Sequence, residues 1–522
     1  MSMYSGRIEN LLNNISNEIE VEETLKELES VFASMSDSQL ADHVKEVNFG
    51  VVFDSLNSCN RDQILYACKI LNLCLPKIPS LELCKKYQEA IIRAIRHPEK
   101  EVKEMGLKEM VRIVNGNHLL MGLTQKDEES VLFSIVECLC DKEISVGLKA
   151  VDLLVLLGQS GWGMSLICNP RVVQCIQAKT EVDEVYKARL TEVVVKIGKD
   201  SSDRLKQMEA LGLLKGSIET LTSGDILAIM ATLEVITPLA STTHGLEFLV
   251  KNKILGLLTK KLVSLENDPL ATVLYPGLAK FFGQIGQKCP SDFMEFCPEV
   301  LISLLKNVED DDVNVYVTSL ESVALIASSA MGKKVLEKFD KEMERVVMRC
   351  YQSMTLLQNE YRLRALGAFA NLIHVEFLEN PDSLEIIAGT DIIDTANKKL
   401  AEKWFNKVGK AALQSIIDMS KQPFPDIKHA AYNVLKELAS QPWGQQKIFQ
   451  HPGLLDYLLD RTDEVLLEGK KDKFAIIETM VESGTLESVM SDKAVVKKLK
   501  DFVNLGPEYR PAQMQVAVEG AE

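Results

Sequence analysis

Leu157-Gly158-Gln159-Ser160-Gly161-Trp162-Gly163 runs as an aliphatic residue, a small residue, a short polar bridge and a closing glycine. The phrase returns as Leu239-Ala240-Ser241-Thr242-Thr243-His244-Gly245, as Ile326-Ala327-Ser328-Ser329-Ala330-Met331-Gly332 and as Leu438-Ala439-Ser440-Gln441-Pro442-Trp443-Gly444. A second amphipathic stretch follows the glycine, Leu246-Glu247-Phe248-Leu249 in one copy and Gln446-Lys447-Ile448-Phe449 in another. From glycine to glycine the intervals are 82, 87 and 112 residues.

The first two intervals are close to twice about 42 residues, the period of HEAT and armadillo repeats. Weaker copies fall between them, Ile197-Gly198 ahead of Asp203 and Ile285-Gly286 ahead of Ser291, and Ile113-Val114 precedes an Asn115-Gly116-Asn117 turn. Ahead of the last glycine, Ile427, Ala430, Ala431, Val434, Leu435 and Leu438 fall on one helical face, with Lys428, His429, Asn433 and Lys436 off it. Ile226, Ile229, Met230, Leu233, Ile236 and Leu239 do nearly the same. The small residue and glycine after each run predict a helix stop and a tight turn. Strand signals are poor, and valine clusters such as Val193-Val194-Val195 sit inside helix-period segments. One such helix cannot bury its face alone, whereas stacked neighbours can.

The expected fold is therefore all-α, a HEAT/armadillo-like helical-repeat solenoid of roughly ten to twelve units. Capping helices are expected over 1–50, the repeat array over 51–504 and an extended tail over 505–522, where Gly506-Pro507 breaks the pattern. The 112-residue interval predicts inserted helical material near 380–400, after the break at Asn380-Pro381-Asp382.

Composition narrows the function. The chain has 522 residues, 59 Lys+Arg against 75 Asp+Glu, a formal charge of −16, 46% hydrophobic and 26% charged residues. That balance argues against a sequence-blind nucleic-acid binder or a ligand for anionic membranes, and against a disordered chain. Met1 to Val31 lacks the basic flank and apolar centre of a signal peptide. The best apolar run, Val151 to Leu157, is broken by Asp152 and is far short of a membrane span. Eleven cysteines, from Cys59 to Cys350, read as small buried hydrophobes in a reducing compartment, and Cys138 with Cys140 cannot make a zinc site alone. No cofactor or metal is expected. The cytoplasm is the expected location, with the nucleus open as a second.

Catalytic signals are weak. Gly158-Gln159-Ser160-Gly161-Trp162 nearly matches a nucleophile elbow, but its second glycine comes one position early and a helix precedes it. There is no P-loop, no dinucleotide-binding glycine motif and no H-E-x-x-H. The seven histidines are scattered, so a Cys/His hydrolase assembled through the fold is only a remote alternative. Glu309-Asp310-Asp311-Asp312 lacks the glycine and distal glutamate of a calcium loop and reads as an acidic helix start.

Binding remains. In armadillo-type arrays the last helix of each unit presents a ladder of open positions. Counting eleven back from each turn gives Asp152, Glu192, Glu234, Glu321 and Asn433, with Lys280 as the exception. Four carboxylates on the rungs predict a negative stripe that attracts a basic protein face. The alternative, solvated positions with no partner, stays open. Tyr316 joins these residues as a candidate contact. Nuclear-import adaptors hold cargo on Trp-x-x-x-Asn rungs, but Trp162, Trp404 and Trp443 are followed four residues on by Leu166, Val408 and Lys447. Trp162 and Trp443 are expected to pack beside the repeat glycines.

Several ordered motifs resemble the 26S proteasome non-ATPase regulatory subunit 5 family. They are Leu274-Tyr275-Pro276-Gly277-Leu278-Ala279-Lys280-Phe281-Phe282-Gly283, Gln422-Pro423-Phe424-Pro425-Asp426 with Gln441-Pro442-Trp443, His451-Pro452-Gly453 with Asp460-Arg461, and the final Val518-Glu519-Gly520-Ala521-Glu522. The resemblance implies a non-catalytic assembly chaperone for the base of the proteasome regulatory particle. It implies binding to the C-terminal domain of one base ATPase, in a module with a second base ATPase and a large non-ATPase subunit, and release before the mature particle forms. A scaffold or transport adaptor for another basic protein is the alternative.

Overall fold

The computed structural model describes residues 3–116, 125–180, 183–223, 225–265, 271–376, 384–464 and 466–509. Among these residues every regular element is a helix. The chain divides into two compact units, Met1–Leu239 and Ala240–Glu522.

In the first unit, ladder helices α1 (Val21–Ala33), α2 (Arg61–Cys74), α3 (Lys100–Asn115), α4 (Ile144–Gln159) and α5 (Glu184–Lys199) stack each on the next. Helix α6 (Ile226–Ala240) follows in sequence, and the first residues of successive ladder helices lie 39 to 44 apart. In the second unit, α7 (Ala271–Lys288), α8 (Val313–Ser328), α9 (Asn359–Ile373), α10 (Pro425–Ala439) and α11 (Leu467–Glu482) stack in the same way. From α4 onward two further helices lie between ladder neighbours, Gly161–Ile167 and Pro170–Thr180 for the first such pair. Each unit is a HEAT/armadillo-like solenoid.

The interval from α9 to α10 is 66 residues, and it holds the helix Leu384–Val408. Of the segment expected as an insertion, residues 380–383 lie outside the described residues, as do residues 510–522 of the expected tail.

Periodicity builds the ladder. On α10, Ile427, Ala431, Val434, Leu435 and Leu438 are buried while Asn433 and Lys436 are exposed. Each Ile, Val or Leu among them contributes roughly 1.5–3 kcal/mol when fully buried, far more than helix propensity supplies. Phe281 and Phe282 are also buried, edge to face at 5.2 Å.

The turn phrase works differently from the expected helix stop. Its Ser or Thr is the N-cap of the following helix: the Ser160, Thr242 and Ser329 hydroxyls accept from the amides of Gly163, Gly245 and Gly332 at 3.0, 3.2 and 3.1 Å. The glycine is the third residue of that helix, and its backbone is not left-handed. It is needed for close approach. A Cβ at Gly163, Gly332 or Gly444 would stand 2.4, 2.0 or 2.1 Å from the carbonyl oxygen of Leu157, Ile326 or Leu438. The nucleophile-elbow serine is thus a cap that also donates to Leu157 O at 2.9 Å. Asp312, the last of the acidic run, likewise caps α8 by accepting from Asn314 N at 2.8 Å.

Beyond the glycine, the next side chain can cap the ladder helix just ended. Gln445 Nε2 donates to Ala439 O at 2.9 Å. Lys333, fully buried, does the same to Ala327 O at 2.6 Å and reaches Leu372 O at the end of α9 at 2.8 Å. Its ammonium also lies 5.1 Å from the centre of the Trp404 ring. Trp443 is buried beside its glycine and donates to Gln441 Oε1 at 2.8 Å, whereas Trp162 is 40% exposed and packs only in part.

Candidate protein-interaction faces

The ladder helices bury one side against their neighbours and leave another open, and the open side carries a repeating set of charges. On α3 and α4, the Glu104 carboxylate accepts from the Ser145 hydroxyl and pairs with Lys149 at 3.3 Å. Burial pushes the Glu104 carboxyl up, but Ser145 and Lys149 outweigh it and hold it below the usual range. On α4 and α5, Lys196 lies between Asp152 at 3.5 Å and Glu192 at 2.9 Å. In the second unit Arg364 of α9 grips Glu321 of α8 with two bonds, 2.9 and 2.6 Å, and donates to Thr318 Oγ1 at 2.9 Å.

The expected negative stripe is therefore largely a chain of ion pairs between neighbouring rungs. Asp152 and Glu192 share Lys196, Glu321 is held by Arg364, and Glu234 is exposed on α6. Lys280 is exposed on α7 and Asn433 on α10. Tyr316 is placed otherwise than expected. It is buried at 5%, with the Arg349 guanidinium 4.3 Å from its ring centre, so it holds the core and offers no contact surface. Because Asp312 starts α8, Tyr316 points one turn into the helix and inward.

Lys280, Gln284, Glu321, Arg364 and Asn371 rim a groove of about 330 Å³ across α7, α8 and α9, floored by Ser322, Leu325 and Gly367. Glu321→Lys would set a third cation beside Arg364 and Lys280. It is expected to cost the second unit about 1–3 kcal/mol in urea unfolding, and an unchanged midpoint would show that the bridge contributes nothing.

Two features escaped the sequence reading. One is the base that answers three of the carboxylates about one period later: Lys149 after Glu104, Lys196 after Asp152, Arg364 after Glu321. That spacing was readable and predicts pairing rather than a free stripe. The other is a cleft of about 510 Å³ at the starts of α10 and α11, lined in part by Pro423, Pro425 and the exposed Leu466. Two contacts span it: Lys428 pairs with Glu464 at 2.6 Å, and His429 Nδ1 lies 2.8 Å from the Asp472 carboxylate. Beneath it, buried Lys473 binds Asp463 at 2.6 Å and Asp460 O at 2.8 Å. Among the described residues no group of three or more His, Cys, Asp or Glu could hold a metal, and no single helix is long and apolar enough to cross a membrane.

Known proteins resemble this chain along most of its length. The 26S proteasome non-ATPase regulatory subunit 5 of Homo sapiens is 25% identical over 501 residues, 96% of each chain. Its counterpart in Drosophila melanogaster is 24% identical over 363 residues, 68% of each chain. Among solved structures, a chain of the Kap95:Nup1 complex matches with a TM-score of 0.57 at 14% identity, over 92% of this chain and 57% of that one, which shows a shared helical-repeat fold. Homologues so named along nearly the whole length give this protein a proteasome-related role. With residues 4–522 matched, the chain belongs to the family described as the proteasome non-ATPase 26S subunit.

Proposed function

We propose that this chain is an assembly chaperone for the base of the proteasome regulatory particle. In this reading it works in the cytoplasm, holds the C-terminal domain of one base ATPase on its open ladder faces, and leaves before the particle is complete. A second base ATPase and a large non-ATPase subunit would join the same module. The observation that carries the reading is the set of ladder faces left open in both units, in a chain whose homologues are named as proteasome regulatory subunits. Rungs whose charges are already paired suit a hold that must end, because capture then rests on modest polar gains that salt screens.

A non-catalytic role is part of the proposal. Burial pushes the thiol of Cys68 up to about 12 and those of Cys138 and Cys297 up to about 11, which leaves little thiolate for nucleophilic chemistry.

Gel filtration of the purified chain with the isolated C-terminal domain of each base ATPase in turn tests the proposal. A one-to-one complex with a single domain is expected. No complex with any of them would remove the chaperone reading and leave a scaffold for another basic partner.

A further inference from the structure

The open face of the first unit carries aliphatic side chains that stand exposed among the described residues. Ile144 is 71% exposed and Leu148, one turn on, 45%; Val185 on the adjoining α5 is 54% exposed. Leu227 on α6, 76% exposed, continues the register, 42 residues after Val185 as Val185 is 41 after Ile144. Ile144, Val185 and Leu227 stand at the starts of helices that follow one another at the repeat spacing, where a solvated position ordinarily carries a polar residue. Instead each helix offers an aliphatic, with a small residue, Ala188 or Ala231, exposed a turn further along α5 and α6.

One to two turns beyond that apolar row lies an acidic one: Asp152, Glu192 and Glu234. A single ammonium, Lys196, is shared between the first two. On the other flank Glu143 and Glu184 are already met by Lys100 at 3.4 Å and Lys187 at 3.6 Å. The face is thus apolar along one line and net negative along the line on its C-terminal side.

We infer that this face docks an amphipathic helix of a partner protein, with aliphatics seven residues apart and Lys or Arg along one flank of that apolar seam. Stacked helices lie about 8–10 Å apart, and seven residues of a helix rise about 10.5 Å, so one helix crossing the ladder meets consecutive rungs in step. Apolar contacts supply affinity there, while the acidic row fixes which way round the helix lies and speeds encounter. The inference rests on the ladder face being the capture surface, and not on which domain is captured.

Fluorescence anisotropy with the full chain tests it, using a labelled synthetic helix with heptad-spaced leucines and a lysine flank, and a twin in which every lysine is glutamate. Binding of the lysine peptide is expected, at least about tenfold tighter than its twin and weakening as salt rises. Leu148→Asp with Val185→Asp should weaken it at least about tenfold while helical circular dichroism is unchanged, since both positions are exposed. Asp152→Asn with Glu192→Gln should shrink the difference between the peptides. Equal binding of the twins, no binding of either, or full affinity in the Leu148→Asp/Val185→Asp chain would overturn the inference. So would a dimer of the chain that the same double substitution dissociates, because the face would then belong to a second copy. A chain that binds the lysine peptide but no base ATPase domain keeps this inference and removes the proposed function. A domain complex that survives the double substitution does the opposite.

Discussion

Urea unfolding of the Lys333→Gln chain should lack a rise in stability that the unaltered chain shows between about pH 6 and about pH 9. Lys333 is fully buried, and burial pulls its ammonium down from an ordinary 10.5 to about 7, with the Glu437 carboxylate pulling weakly the other way. A lysine whose folded value is depressed binds fewer protons in the folded chain than in the unfolded chain between those two values. Stability therefore increases with pH across that window, by at most about 1.4 kcal/mol per pH unit. Below about pH 7 the ammonium is charged in both states and the cost of burying it is fully present.

The groups around the amine explain why the cost is tolerated. Ala327 O and Leu372 O are C-terminal carbonyls of α8 and α9, the negative ends of two helices, and the Trp404 ring offers its face. Glutamine is the natural substitute, because Gln445 makes the corresponding bond to Ala439 O two ladder helices further along. Lys333→Gln should keep the Ala327 bond, lose at most the reach to Leu372 for about 1 kcal/mol, and titrate no longer. The difference in stability between the two chains should thus grow by about 2–3 kcal/mol from pH 6 to pH 9, followed by Trp404 and Trp443 emission in a Trp162→Phe background. A flat difference would mean the ammonium stays charged in the folded chain. Lys333→Met should be the worse variant at every pH, because it fills the space and orphans both carbonyls.

The period of the ladder was legible because burial of one helical face forces apolar residues into a 3.6 spacing, as Ile427 to Leu438 show. Which polar residues stand open was legible too, for Asp152, Glu234, Lys280 and Asn433 are exposed. What the pattern could not give was their neighbours. Whether Glu321 is a free charge depends on Arg364, on a separate helix 43 residues away, and contacts between rungs are tertiary. Tyr316 was misjudged because an aromatic near a helix start suits a surface contact and a core position equally well in sequence. The exposed Ile144, Val185 and Leu227 were hidden by the opposite bias, since an aliphatic in a helical run is taken for core. The turn glycines were found as a motif, but their reason needed the carbonyl oxygen that each one faces.

That reason makes the sharpest stability contrast in the chain. Gly161 and Gly163 lie in the same short helix, Gly161–Ile167, two residues apart. A Cβ at Gly161 meets nothing within 4 Å, whereas one at Gly163 stands 2.4 Å from Leu157 O and one at Gly332 stands 2.0 Å from Ile326 O. Helix propensity favours alanine equally at all three, so it cannot separate them. Gly161→Ala should be neutral or stabilise by up to about 1 kcal/mol, by narrowing the unfolded ensemble. Gly163→Ala and Gly332→Ala should each cost about 3 kcal/mol or more, because the obstacle is backbone at the end of a ladder helix and cannot rotate away. In a repeat array the damage should stay with the nearest neighbours, so amide exchange should quicken in α4 and Gly161–Ile167 for Gly163→Ala, and in α8 and Ala330–Leu336 for Gly332→Ala. Equal stability of Gly161→Ala and Gly163→Ala would show that the turn can open at no cost. The glycine would then be a feature of the sequence phrase without being the hinge on which successive helices pack.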